Sequence, residues 1–216
     1  MSSPRRTLPA AVRLTQQRGV SLFFALVSLV AISLAAIVLV RSVDTSTLIS
    51  GNLAFQQAAT ASADAGTEAA IAWLAGIEKA NTAKNVLNDP SHPFNVNDGT
   101  KGYYSALDPA KSLTASSGTR FLWDDTDSEA LPADSSGNTT RYIIQRMCVT
   151  PNVPVKDAGC LYSGAVLLNG SLAIPLPQEI CVGAGCPVAG QTPQIRVTSR
   201  TVGPKNTLSY VQAFVY

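Results

Sequence analysis

The chain divides sharply by its pattern of apolar and polar positions. Val20 to Val40 reads VSLFFALVSLVAISLAAIVLV, twenty-one residues without a charge, bracketed by Arg18 and Arg41. As an α-helix it would be about 31 Å long, the thickness of a bilayer's hydrocarbon core. Past Arg41 the pattern stays helical but changes character. Phe55, Ala59, Ala63, Gly66, Ala70, Leu74 and Ile77 recur every three or four residues, so they share one face. Small residues dominate that stripe, which permits close approach of a sheet or another helix. It is expected to face the core. Gly51 and Gly66 should each weaken the helix by about 1 kcal/mol relative to Ala, and are expected to mark places where the rod bends or melts on packing. Asn81, followed by Pro90 and Pro93, predicts an end near Ala80.

Beyond the helix the period changes. Residues 81–138 read as an irregular stretch, with turn-forming clusters at Asp89-Pro90-Ser91-His92-Pro93 and Ser135-Ser136-Gly137-Asn138. Tyr103-Tyr104 and Phe121-Leu122-Trp123 are its local apolar anchors. Thr139–Thr150 and Gly164–Ile174 are strand candidates, and Gln194–Thr201 with Thr207–Tyr216 is the clearest hairpin, turning at Gly203-Pro204-Lys205-Asn206. Helix first and antiparallel sheet afterwards predicts an α+β fold: a long N-terminal helix packed on a C-terminal antiparallel head. The expected organisation is a leader over 1–19, a helix over 20–80 with its transmembrane part at 20–40, and a head over 81–216.

Charge changes this picture in one place. The net charge of +2 conceals Arg5, Arg6, Arg13 and Arg18 in an N-terminal segment that has no acid; without them 12 basic and 14 acidic side chains remain, a net of −2. The basic leader is therefore expected to stay cytoplasmic, with the C-terminal part outside. The remainder has no clustered basic face of the kind nucleic acid requires. Cys148, Cys160, Cys181 and Cys186 all fall in the last third. An even count in a loop-rich stretch suits disulfides in an oxidising compartment. Three pairings are possible, and Cys148–Cys160 with Cys181–Cys186 closes the smallest loops. A four-cysteine zinc site is the competing arrangement, disfavoured by C-x11-C and C-x4-C spacings without a CxxC.

Candidate chemistry is sparse. His92 is the sole histidine and lies among turn residues, which reads as a solvated loop position rather than the rigidly held base of a hydrolytic triad. Asp124, Asp125, Asp127 and Glu129, with Asp134 nearby, form the acidic cluster. Asp125, Asp127 and Glu129 are a weak calcium candidate, because they lack the central glycine and terminal bidentate glutamate of an EF-hand; a solvated acidic loop is the better reading. Gly183-Ala184-Gly185 lacks the glycine and lysine of a phosphate loop and reads as a turn. No enzyme site and no cofactor is expected.

The apolar block is too long for a secretory signal, and no A-x-A pattern follows it. A plain signal-anchor helix fits its hydropathy equally well. The residues beside it carry a sharper likeness. Gln17-Arg18-Gly19 followed by Val20-Ser21-Leu22 resembles a prepilin leader, in which a basic segment ends in glycine just before the apolar block. Ser50-Gly51-Asn52-Leu53-Ala54-Phe55-Gln56-Gln57-Ala58-Ala59, with Ala63-Asp64-Ala65-Gly66-Thr67-Glu68-Ala69-Ala70, resembles the helix of PilX-type minor pilins of type IV pili. Val202 to Ala213 resembles their final hairpin, and roughly residues 80–140 lie outside the likeness.

The resemblance implies a structural, non-enzymatic subunit. A prepilin peptidase would cut after Gly19 and methylate the amine of Val20. Phe23, Phe24, Leu26, Leu29, Ile32 and Leu39 would lie in the bilayer before assembly and in the filament core afterwards. The implied partners are the inner-membrane assembly platform, the major pilin, other minor pilins and a tip adhesin, in a role that starts pilus assembly. The implied location is the inner membrane with a periplasmic head, and then the extracellular pilus. One departure stands out. Most pilins carry a glutamate where this chain has Phe24. An unpaired carboxylate in an apolar core costs several kcal/mol, so its loss is expected in a low-copy, tip-proximal subunit that lacks a neighbouring amine. Two other readings share the anchor: a minor pseudopilin of type II secretion, and a single-pass signal-anchored periplasmic sensor or binding domain.

Overall fold

The computed structural model describes residues 20–216 except 110, 112, 114–119, 165–167, 170, 171 and 174. Helix α1 runs Val20–Ala80. The described residues up to Gly51 and the stretch Asn52–Tyr216 are two separate units. In the first unit, no side chain is buried. Its hydroxyls turn back onto the helix: Ser33 Oγ donates to Leu29 O at 2.7 Å, Thr45 Oγ1 to Arg41 O at 2.9 Å and Thr47 Oγ1 to Val43 O at 2.9 Å. Such back-bonding gives a polar side chain a partner without water, which suits an apolar surrounding.

The second unit holds the last turns of α1 and the head. The helix ends where Asn81 Nδ2 donates to Ile77 O at 2.8 Å, and Lys79 in its last turn faces the negative end of the helix dipole. Among the described residues nine strands follow: β1 Tyr103–Tyr104, β2 Glu129–Ala130, β3 Thr139–Arg146, β4 Tyr162–Ser163, β5 Leu168–Asn169, β6 Leu172–Ala173, β7 Thr192–Pro193, β8 Ile195–Val202 and β9 Leu208–Val215. The main sheet has the order β1-β3-β8-β9, with β2 also on β3. Its β3–β8 and β8–β9 ladders are antiparallel, Tyr142 opposing Ser199 and Ser199 opposing Val211. The pair β1–β3 is parallel, so the sheet is mixed, and the stretch that reads as irregular supplies two of its strands. These are two residues long each, too short for period-two patterning to register. The remaining pairs, β4–β7 and β5–β6, stand apart from this sheet, the latter within Gly164–Ile174.

The fold is thus α+β, with a long N-terminal helix packed on a C-terminal sheet. Ala59, Ala63, Gly66, Thr67, Ala70 and Leu74 are the buried positions of α1. Toward Leu74 the helix meets an apolar core of Phe94, Tyr103, Tyr142, Ile144 and Val197. Toward Ala59 the contact is polar and small: Thr60 Oγ1 lies 3.1 Å from Ser209 Oγ, and Thr140 Oγ1 donates to Ser62 O at 3.4 Å. Gly66 does not melt the rod, because α1 is continuous through it. A Cβ there would fall on Ser199 Oγ and come within 2.6 Å of Thr140 Cγ2. Its lack of a side chain is what brings helix and sheet together. Gly51 has nothing within 4 Å of the equivalent position.

Between β8 and β9 the chain reverses at Pro204–Asn206, where Lys205 and Asn206 adopt φ of 57° and 59°. This left-handed pair matches the twist of the flanking strands. Disulfides join Cys148 to Cys160 and Cys181 to Cys186, twelve and five residues apart. They hold the loops between β3 and β8.

Candidate functional site

The feature with the greatest functional content is the first part of α1. Phe23, Phe24, Leu26, Leu29, Ile32 and Leu39 are all exposed; Leu22 is the most exposed large apolar side chain there at 74% and Val27 the least at 48%. No face of this stretch is covered, so its large side chains contribute nothing to the fold of the head. A contiguous apolar surface of that extent requires an external apolar phase, either lipid or other protein. The helix is long and apolar enough to cross a membrane. Gly19, the residue at the proposed cleavage, lies outside the described residues; Val20 opens the helix and is exposed.

The acidic cluster does not converge. Asp125 pairs with Arg141 Nη2, and Glu129 Oε1 with Lys101 Nζ at 3.3 Å. Asp127 accepts from Leu122 N and from the Tyr104 hydroxyl, both at 2.8 Å, and lies 3.4 Å from Lys111 Nζ. The candidate set Asp125, Asp127 and Glu129 is therefore distributed over three different cations. Among the described residues no group of three or more histidine, cysteine, aspartate or glutamate side chains could hold a metal ion. The loop is also not simply solvated. Asp127 is buried, and although burial alone would raise its pKa, the Leu122 amide, the Tyr104 hydroxyl and Lys111 hold it below the ordinary carboxylate value. Its role is to fasten Leu122 and Tyr104 together.

His92 departs from its expected surface position too. It is 1% exposed, and its Nδ1 accepts from Phe94 N at 3.1 Å, capping the turn at Pro93–Asn95. Burial pushes its pKa below the usual 6.5. Such a histidine stays neutral at physiological pH and supports the loop. Prolines on either side masked this, because they signal a turn without telling which way its side chains face.

The roles of two further residues were not read from the sequence. Arg146, at the end of β3, is 1% exposed and donates to Ser105 O at 2.9 Å, Asn95 Oδ1 at 2.6 Å and Val153 O at 3.0 Å. It gathers three loops around one guanidinium, a role hidden in sequence because its acceptors lie seven to fifty-one residues away. Asp134 accepts from Ser62 Oγ at 2.6 Å, Asn138 N at 2.9 Å and Asn138 Nδ2 at 2.7 Å. It ties the helix to the segment entering β3, a role that neither the acidic cluster nor the turn signal at Ser135-Ser136-Gly137-Asn138 disclosed.

Comparison of the chain with protein-family models, with curated proteins and with solved structures found no match.

Proposed function

We propose that this chain is a minor, non-enzymatic subunit of a type IV pilus, similar to PilX-type pilins, acting where a pilus is started and capped. The observation that carries the reading is the division of α1. Its first thirty-odd residues expose large apolar side chains on all faces, while Asn52–Ala80 buries a small-residue stripe against the head's sheet. A subunit stored in a bilayer and then inserted among other subunits' helices needs this arrangement. Each apolar side chain exchanges lipid for protein contacts, so the step costs little net free energy, and an external motor can drive it. The prepilin-like Gln17-Arg18-Gly19 and the two disulfides of the head fit export and assembly outside the cytoplasm.

In this reading a prepilin peptidase cuts after Gly19 and methylates Val20. The assembly platform, the major pilin, other minor pilins and a tip adhesin are the partners. Phe24, standing where most pilins carry glutamate, is the ground for proposing a position near the tip. Replacing Gly19 with valine should leave a full-length precursor in the membrane and no assembled protein. Intact-mass analysis of the membrane fraction reads the result. A Gly19→Val variant with a methylated Val20 terminus would overturn the proposal, and an uncut wild-type chain would turn the reading toward a signal-anchored binding domain. Immunogold staining spread evenly along sheared pili would refute the tip position.

A further inference from the structure

Strand β9 ends the main sheet, and among the described residues its backbone makes no hydrogen bond beyond its ladder with β8. Its sequence, LSYVQAFV, contains no charge and no proline. Natural edge strands are usually blunted by lysine, proline or a bulge, and an eight-residue edge without any of these invites a further strand. The surroundings favour an incoming strand on both faces. On the helix side, Ile71, Leu74, Ala75 and Val215 border an apolar groove of about 440 Å³, with Arg146 among its walls. On the opposite side, Leu208, Tyr210 and Phe214 form an exposed row at alternate positions, Phe214 being 51% exposed.

Charge selects the occupant. The ion pairs among the described residues are Lys101–Glu129, Lys111–Asp127 and Arg141–Asp125, so Arg146, Arg196 and Arg200 have no carboxylate. Arg196 and Arg200 oppose Phe214 and Tyr210 across the β8–β9 ladder. Arg196 donates one Nη2 bond to Gln145 Oε1 at 2.5 Å, Arg200 stacks over the Trp123 ring at 5.7 Å, and the Nε of each has no acceptor. A strand added beyond β9 would run about 10 Å from β8, within the combined reach of an arginine and an acidic side chain. Pairing two copies edge to edge would instead set one uncharged β9 against another and bring no carboxylate to these arginines. We infer that the free edge of β9 receives an extended segment of another protein, apolar residues alternating with acidic ones, by strand addition. The apolar residues enter the groove beside Ile71 and Val215, and the acidic ones lie along Tyr210 and Phe214 toward Arg196 and Arg200. This inference does not depend on the pilus reading.

The test uses the full chain in detergent micelles and two capped synthetic peptides, one alternating valine with glutamate and the other valine with lysine. The glutamate peptide should bind about tenfold more tightly and protect β9 amides from hydrogen exchange. Arg196→Glu with Arg200→Glu should reverse the preference, and Arg196→Gln with Arg200→Gln should abolish it if the reversed variant does not fold. Equal binding of both peptides, protection elsewhere than β9, or no binding while the chain self-associates through β9 would each overturn the inference.

Discussion

Along α1, the stretch from Val20 to Gly51 carries leucine, valine, isoleucine and phenylalanine with every side chain exposed; from Asn52 to Ala80 the buried positions hold alanine, glycine, threonine and one leucine. Size and burial run opposite to the usual order, in which the largest apolar residues are innermost. The reason is geometric in one stretch and environmental in the other. The sheet must lie close against the helix at Gly66, so only small residues fit. Among the described residues nothing buries the first stretch, and its large side chains supply area to whatever surrounds it. Burying a leucine, isoleucine or phenylalanine there would be worth about 1.5–3 kcal/mol each. What is spared inside the head is therefore available for an external apolar phase.

The comparison breaks most readily at Gly66. Gly66→Leu should overpack the junction with Ser199 and Thr140 and destabilise the head by about 3 kcal/mol or more, read as a lower denaturation midpoint of the full chain in detergent. Gly51→Leu faces open space and should stabilise slightly, by roughly 0.5–1 kcal/mol, through helix propensity. Similar gains at both glycines would show that helix propensity, and not close approach, governs the stripe.

A charge sharpens the other side. Ile32→Asp should raise the cost of membrane insertion by about 3 kcal/mol and shift the chain from the membrane fraction to aggregates or degradation. Ala72→Asp, on an exposed position of the outer stretch, should leave both partition and stability within about 0.5 kcal/mol. Undiminished membrane partition of Ile32→Asp would mean that the first stretch meets no bilayer.

The disulfides test how far the head stands by itself. Removing the Cys148–Cys160 link, which spans twelve residues, should cost about 3 kcal/mol, and removing Cys181–Cys186, which spans five, about 2 kcal/mol, if each acts by restricting the unfolded chain. Melts of Cys148→Ser with Cys160→Ser, and of Cys181→Ser with Cys186→Ser, give the order. Reversal of that order would assign the stabilisation to the folded loops rather than to unfolded-state entropy.

What was legible in the sequence follows from these scales. The helix, its buried stripe and the terminal hairpin repeat a period over many residues, so Ala59, Ala63, Ala70, Leu74 and the β8–β9 pair could be located directly. Residues 81–138 could not be read, because their order comes from single long-range bonds. Asn95 reaches Arg146 across fifty-one positions, Asp127 reaches Tyr104 across twenty-three, and Ser62 reaches Asp134 across seventy-two. The same blindness applies to His92, whose burial depends on Phe94 and its neighbours rather than on its own flanking prolines. The outward row on β9 takes alternate positions, Leu208, Tyr210, Gln212 and Phe214, but which face it occupies only the packing of α1 decides.

The smallest expected effect concerns Asp134, a carboxylate that links the second part of α1 to the segment entering β3. Asp134 is exposed, yet its pKa is held down to about 2 from an ordinary 3.8, first by the Ser62 hydroxyl and then by the backbone and side-chain amides of Asn138 and the Ser136 amide. A depressed folded-state pKa means that the folded chain binds fewer protons than the unfolded chain. The contribution is then complete above the unfolded value and disappears as the pH falls from about 4 to about 2. Asp89 and Asp127 are also lowered and titrate in the same direction, so the acid loss of the wild type alone assigns nothing to Asp134. Asp134→Asn isolates it. The variant should melt slightly lower than the wild type near neutrality, and the difference should close as the pH approaches about 2. Calorimetric melts of both chains at matched ionic strength measure this. A difference that stays constant across that window would mean that Asp134 acts through its shape as a turn former, and that the tie between Ser62 and the entry to β3 carries no charge dependence.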